Sequence, residues 1–186
     1  MRDEAMIEAA IACGAAKAQV IPLSQVAASS EFRRVCEGNG CGNYGRCWMC
    51  PPSVGDIEDL MAQLRAYDQG LLYQTIARIE DSFDIEGMLR AGDEHAQVSQ
   101  RIQAALAARL AGPCLHLTCG GCRLCEVCAK RDDQPCRHPD RALPSLESYG
   151  VDVYQTVKDT QLRYVNGPNT VTYFGMLLFR RRRCTN

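Results

Sequence analysis

The sequence predicts an α+β fold, mixed α/β in its element order, with a central β-sheet, flanking helices and two cysteine-rich loops. Three observations carry that prediction. Stretches of helical period alternate with short β-branched and aromatic runs. The alternation breaks at 36–52 and at 119–138, where cysteines crowd together. Neither an internal repeat nor a low-complexity segment is present. A chain of 186 residues can bury a core of its own, so one metal-binding domain over residues 1–186 is expected.

Glu4 to Ala18 sets Met6, Ala9, Ala10, Cys13 and Ala16 at helical spacing in an alanine-rich stretch, so it reads as a closely packed helix with Cys13 buried and structural. Val20 to Val26 reads as extended, and Pro22 places it at a sheet edge. No helical or strand period survives from Cys36 to Pro52, where glycine and asparagine supply tight turns. Asp56 is suited to cap a helix whose apolar stripe is Ile57, Leu60, Met61 and Leu64. Gly70 to Ile79 has strand composition, the acidic stretch Glu80 to Glu94 reads as a surface excursion, and helical period returns from His95 to Leu110. Cys114 to Thr118 is a short strand, which makes the middle of the chain β–α–β. Beyond the second cysteine loop, Pro144 to Tyr149 and Asp152 to Leu162 read as short helices, and Val171 to Phe179 is the strongest strand.

Composition narrows the function classes. A formal charge of -1 with 23% charged residues gives no electrostatic ground for binding nucleic acid or an anionic membrane. No segment approaches the roughly 18 apolar residues of a span, and Met1 to Glu4 leads into no apolar secretory core. A cytoplasmic location is therefore expected. The twelve cysteines are the anomaly, and in a reducing compartment they read as metal ligands or redox groups rather than disulfides.

Cys122, Cys125 and Cys128 form C-x2-C-x2-C, and seven residues separate Cys128 from Cys136. Three thiolates at that spacing on a tight loop can bind three irons of one cubane. Bacterial ferredoxins share the run but leave only three residues before the fourth cysteine, which precedes proline. Here the gap is longer and Arg137 follows, so Cys136 could serve either loop. The first loop offers Cys36, Cys41, Cys47 and Cys50, among Gly38, Gly40, Gly42 and Gly45, whose amides can approach bound sulfide. The cofactor expected is one or two [4Fe–4S] clusters. Structural zinc also takes four thiolates and C-x2-C pairs, but zinc ribbons usually present two separated knuckles, whereas the second loop stacks three cysteines. A thioredoxin-type reading of Cys47 to Cys50 is weaker, since no strand-to-helix transition surrounds it.

The stretch CGNYG…CPP, the run GCRLCEVCA and the segment PCRHPDRALPSLESYGVDVYQT together resemble the predicted metal-binding protein family known as domain of unknown function 2284. The likeness spans nearly the whole chain and is densest from Gly121 to Thr156. It implies metal binding, iron–sulfur in kind, through cysteines matching Cys36, Cys41, Cys50, Cys122, Cys125, Cys128 and Cys136; it implies no established reaction. Cys47 and Cys119 stand where the family is not expected to keep cysteine, so each is a candidate eighth ligand or a passenger, while Cys13, Cys114 and Cys184 read as bystanders.

Arg180 to Arg183 reads as a solvated charge run, His138 as a residue that structures its loop, and Arg137 as a possible donor to cluster sulfur. Tyr44 and Trp48 are placed to shield a cluster, whereas His95 and His116 read as a surface helix residue and a strand residue. No carboxylate pair, P-loop, G-x-G-x-x-G or H-E-x-x-H pattern points to a reaction. The reading reached is a redox protein or redox subunit serving a partner enzyme. Its competitors are an iron–sulfur enzyme or maturation factor with an open iron, and a zinc-stabilised interaction domain. The sequence is silent on oligomeric state.

Overall fold

The computed structural model describes residues 2–110 and 112–181. Its centre is a four-stranded antiparallel sheet of β1 (Lys17–Pro22), β2 (Gln69–Arg78), β3 (Leu115–Leu117) and β4 (Thr170–Phe179), in the order β1-β2-β4-β3. The long strands β2 and β4 pair from Gln69↔Phe179 to Arg78↔Thr170 and form the middle of the sheet. Since β2 and β3 both run antiparallel to β4, they are parallel to each other, and the helix between them makes a crossover with β4 inserted between its two strands. Pro22 ends the edge strand β1, where a missing N–H leaves no central ladder bond unmade.

Both faces of the sheet are covered, because residues of β2 and β4 alternate between two cores. On one face Leu71, Tyr73, Leu177 and Phe179 pack against Met6 and Ala10 of α1 (Asp3–Ala12) and against Val98, Ile102 and Leu106 of the long helix between β2 and β3. On the other, Leu72, Phe174, Met176 and Leu178 meet Leu60 and Leu64 of a helix capped by Asp56, together with Leu146, Val153 and Val157. The fold is α+β, as expected.

Several elements differ from the sequence-based expectation, β1 among them, which ends at Pro22 before a 3-10 turn at Leu23–Gln25 rather than running on to Val26. α1 stops at Ala12 rather than Ala18. Gly14 adopts φ +106, its N–H bonds Ile11 O at 2.9 Å and the Ala15 N–H bonds Ala10 O at 3.1 Å, a Schellman termination that frees Lys17 and Ala18 to enter β1. A short helix, α2 (Arg34–Glu37), carries Cys36 into the first loop. After α3 (Ile57–Arg65), α4 runs from Ile85 to Leu106, so most of the acidic stretch is its first turns. Asp84 caps it by accepting the Gly87 N–H at 2.8 Å. The 147–149 segment is a single 3-10 turn, and α5 is confined to Val153–Val157, started by Asp152 accepting the Gln155 N–H at 3.0 Å.

Candidate metal centre

The two cysteine loops are far apart in sequence and packed together in space. Trp48 donates its indole N–H to Gln134 O at 2.8 Å, and the Lys130 ammonium lies 4.9 Å from the Trp48 ring centre. Asn43 of the first loop lies against the backbone of Gly121 in the second, where a methyl group would overlap its amide. Where the loops meet, Cys47, Cys122, Cys125, Cys128 and Cys136 line one hollow, with Trp48, Leu124, Ala129 and His138 completing its wall. The four second-loop cysteines singled out from spacing are thus gathered, and the first loop adds Cys47.

Cys36, Cys41 and Cys50 lie outside that hollow but share an electrostatic neighbourhood. Burial first, then Glu147 and Cys41, push the Cys36 thiol up to about 11, while the Arg33 guanidinium opposes them. Cys50 is pushed far above its ordinary range by the hydrogen bond its S–H donates to the Cys47 sulfur, by burial and by Cys47, Cys41 and Cys36 nearby. Cys122 is raised to about 11 by burial, with Cys47, Cys128 and Cys136 adding to it. Cys47 alone moves down, to about 6: the Cys50 thiol, the N–H groups of Met49 and Cys122 and the Cys128 thiol all point to its sulfur and outweigh its burial.

Among the described residues, no group of three or more His, Cys, Asp or Glu side chains is already converged on the position of a single metal ion. The chemistry of the donor set nevertheless fits a metal group. Cys36 and Cys122 hold their protons chiefly because burial disfavours a bare thiolate, with neighbouring sulfurs adding to it, and a cation bound by them removes that penalty. Arg33 donates to Gly55 O at 2.8 Å, yet its other terminal nitrogen is buried beside the first loop without a partner. Such a donor suits an anionic sulfur assembly.

The remaining expectations fall as follows. Cys119 is half-buried and lines a wide cleft of about 840 Å³ between α4 and the loops, together with Cys41, Cys122, Cys125, Ser99, Thr118 and Arg123. Cys13 and Cys114 are half-buried at the margin of the α1–α4 core. Cys184, Arg182 and Arg183 lie outside the described residues. Arg180 and Arg181 are exposed, as expected of a solvated run, and each has a partner there: Arg180 donates to Ala66 O and Arg181 pairs with Asp3. Arg137 donates to Val127 O at 2.8 Å, bracing the second loop on itself. Trp48 walls the hollow as expected, whereas Tyr44, half-buried, does not.

His95 is a correction. It is not on the surface but fully buried, on the face of α4 turned to the sheet. Its ring stacks on Tyr73 at 5.6 Å, and its Nδ1 is 2.8 Å from Thr75 Oγ1. His116 is buried beside it, with Nε2 2.8 Å from the Tyr73 hydroxyl and Nδ1 2.9 Å from Gln103 Oε1. The Tyr73 hydroxyl also meets Ser99 Oγ at 2.7 Å, and Ser99 Oγ lies 3.1 Å from Thr118 Oγ1. This buried polar chain, with Glu147 and Arg33, had no signal in the sequence. Each is an isolated polar residue in an otherwise apolar or loop context.

A central sheet that brings two separate cysteine loops together around shared thiols defines a cysteine-rich metal-binding protein of the α+β class. The model of the predicted metal-binding protein family, domain of unknown function 2284, matches residues 19–179, and the chain belongs to that family. No curated protein and no solved structure matches the chain significantly. Among the described residues no helix is long and apolar enough to cross a membrane.

Proposed function

We propose that the chain is an iron–sulfur redox protein that carries one or two [4Fe–4S] clusters and exchanges electrons with a partner protein. The observation that carries this reading is the hollow lined by Cys122, Cys125, Cys128 and Cys136 of the second loop. In it Cys122, Cys125 and Cys128 supply three thiolates from one tight run, and Cys136 is at hand as a fourth. Cys36, Cys41 and Cys50 would hold a second group. A [4Fe–4S] cluster, when bound, takes up and returns one electron at a time. The rest falls to the chain. Trp48, Leu124 and Ala129 exclude water from the thiols, and apolar enclosure of that kind shifts a cluster's potential. The partnerless nitrogen of Arg33 stabilises negative charge beside Cys36. Val127, 46% exposed on the second loop, offers an apolar contact for a partner within reach of the hollow.

Anaerobic purification with iron, zinc and acid-labile sulfide analysis tests the reading. Iron and sulfide in equal amounts, with a signal on dithionite reduction, are the expected result. Zinc without sulfide would replace the proposal with a zinc-stabilised interaction domain. Cys125→Ala should lose iron while Cys13→Ala keeps the wild-type content, and equal iron in the two would overturn the ligand assignment.

A further inference from the structure

We infer that Cys47, reaching across from the first loop, is the fourth ligand of the site built on Cys122, Cys125 and Cys128, in place of Cys136, so that both loops close one cluster. The inference rests on the iron–sulfur reading above. Five thiols line the hollow, and a cubane takes four. One of them is surplus.

Cys47 is the most enclosed of the described cysteines, at 1% exposure. Its sulfur receives the Cys50 thiol of its own loop and, from the second loop, the Cys122 N–H and the Cys128 thiol, the first and last members of the C-x2-C-x2-C run. Its position is fixed from both sides. Its carbonyl accepts the Cys50 N–H at 3.1 Å, and the next residue, Trp48, is clamped to the second loop through Gln134 and Lys130. Cys136, which shares the hollow, is less enclosed: it follows an exposed excursion, Arg131 to Pro135, and is half-buried where Cys47 is buried. A ligand whose backbone is held in place before the metal arrives loses less freedom on binding. The first loop then retains Cys36, Cys41 and Cys50, and a metal group there has one position which that loop does not fill.

The test uses the full chain, loaded and handled without oxygen, as wild type, Cys47→Ser, Cys136→Ser and Cys122→Ser. Iron and sulfide are counted, and the reduced clusters are examined by electron paramagnetic resonance. Cys47→Ser should lose the same cluster as Cys122→Ser, or hold it with altered g-values because oxygen replaces sulfur at one iron, while Cys136→Ser keeps the wild-type spectrum. The double variant Cys47→Ser/Cys122→Ser should lose no more iron than Cys122→Ser alone. A merely structural role for Cys47 would lower the melting temperature and leave the g-values in place, which overturns the inference. So does an altered spectrum in Cys136→Ser, or an additive loss in the double variant, which would assign Cys47 to the first loop. Wild-type protein without iron and sulfide overturns the iron–sulfur reading itself, a result distinct from any of these.

Discussion

His95 and His116 sit among apolar side chains with only neutral partners. Burial lowers His95 to about 4 and His116 to about 3 from an ordinary value near 6.5. Both are therefore neutral near pH 7. Below 6.5 the unfolded chain takes up protons that the folded one refuses, so stability falls with acidification down to the folded values. For His95 the shift corresponds to a loss on the order of 3 kcal/mol. His95→Gln should flatten the dependence of unfolding free energy on pH between about 6.5 and 4, read by denaturant titration across that range. A slope equal to that of the wild type would show that His95 titrates freely in the folded protein. The sequence hid this histidine for a physical reason. The face of α4 on which it lies, Ala91, His95, Val98, Ser99 and Ile102, mixes apolar with polar residues, and hydropathy cannot distinguish a polar residue with a buried partner from one facing water.

The elements legible in the sequence were those whose start or period is written locally. Asp56 was read as a cap and accepts the Glu58 N–H at 2.9 Å at the head of α3. Asp56→Ala should cost about 1 kcal/mol, the usual worth of such a cap, measurable as a lower denaturant midpoint with unchanged slope. The strands β2 and β4 also fall within a residue of their expected bounds, because each carries a run buried on both faces, 70–74 in β2 and 174–179 in β4. The first turns of α4 escaped notice. They bury Gly87, Ala91 and Gly92 while Ile85 and Leu89 face solvent, so the apolar stripe there is inverted relative to the pattern that signals a helix.

At the scale of the molecule, two hydrophobic cores on opposite faces of one sheet stand apart from the cysteine loops. Stripping metal should therefore loosen the loops and leave the sheet. Chelation of the loaded protein is expected to lower the melting temperature while far-ultraviolet circular dichroism at 25 °C changes little. Collapse of that spectrum would mean that metal holds the whole fold. Spacing puts Cys122, Cys125 and Cys128 at one site, since C-x2-C-x2-C is a local signal, and leaves Cys136 able to serve either loop. It could not place Cys47 there, because residues 47 and 122 meet only through the packing of Trp48, Asn43 and Gly121. The separation of Cys36, Cys41 and Cys50 from the hollow was equally invisible.

The insertion of β4 between β2 and β3 carries a consequence for the order of events during synthesis. β3, which leads directly into the second cysteine loop, pairs among the described residues with β4 and no other strand, and β4 begins at Thr170, downstream of every cysteine of both loops. Domains fold as units as the chain emerges, so the thiols exist for a time as a nascent, unassembled set. Metal capture by the complete site thus belongs after translation of β4, and until then the fold does not shield those cysteines from oxidation.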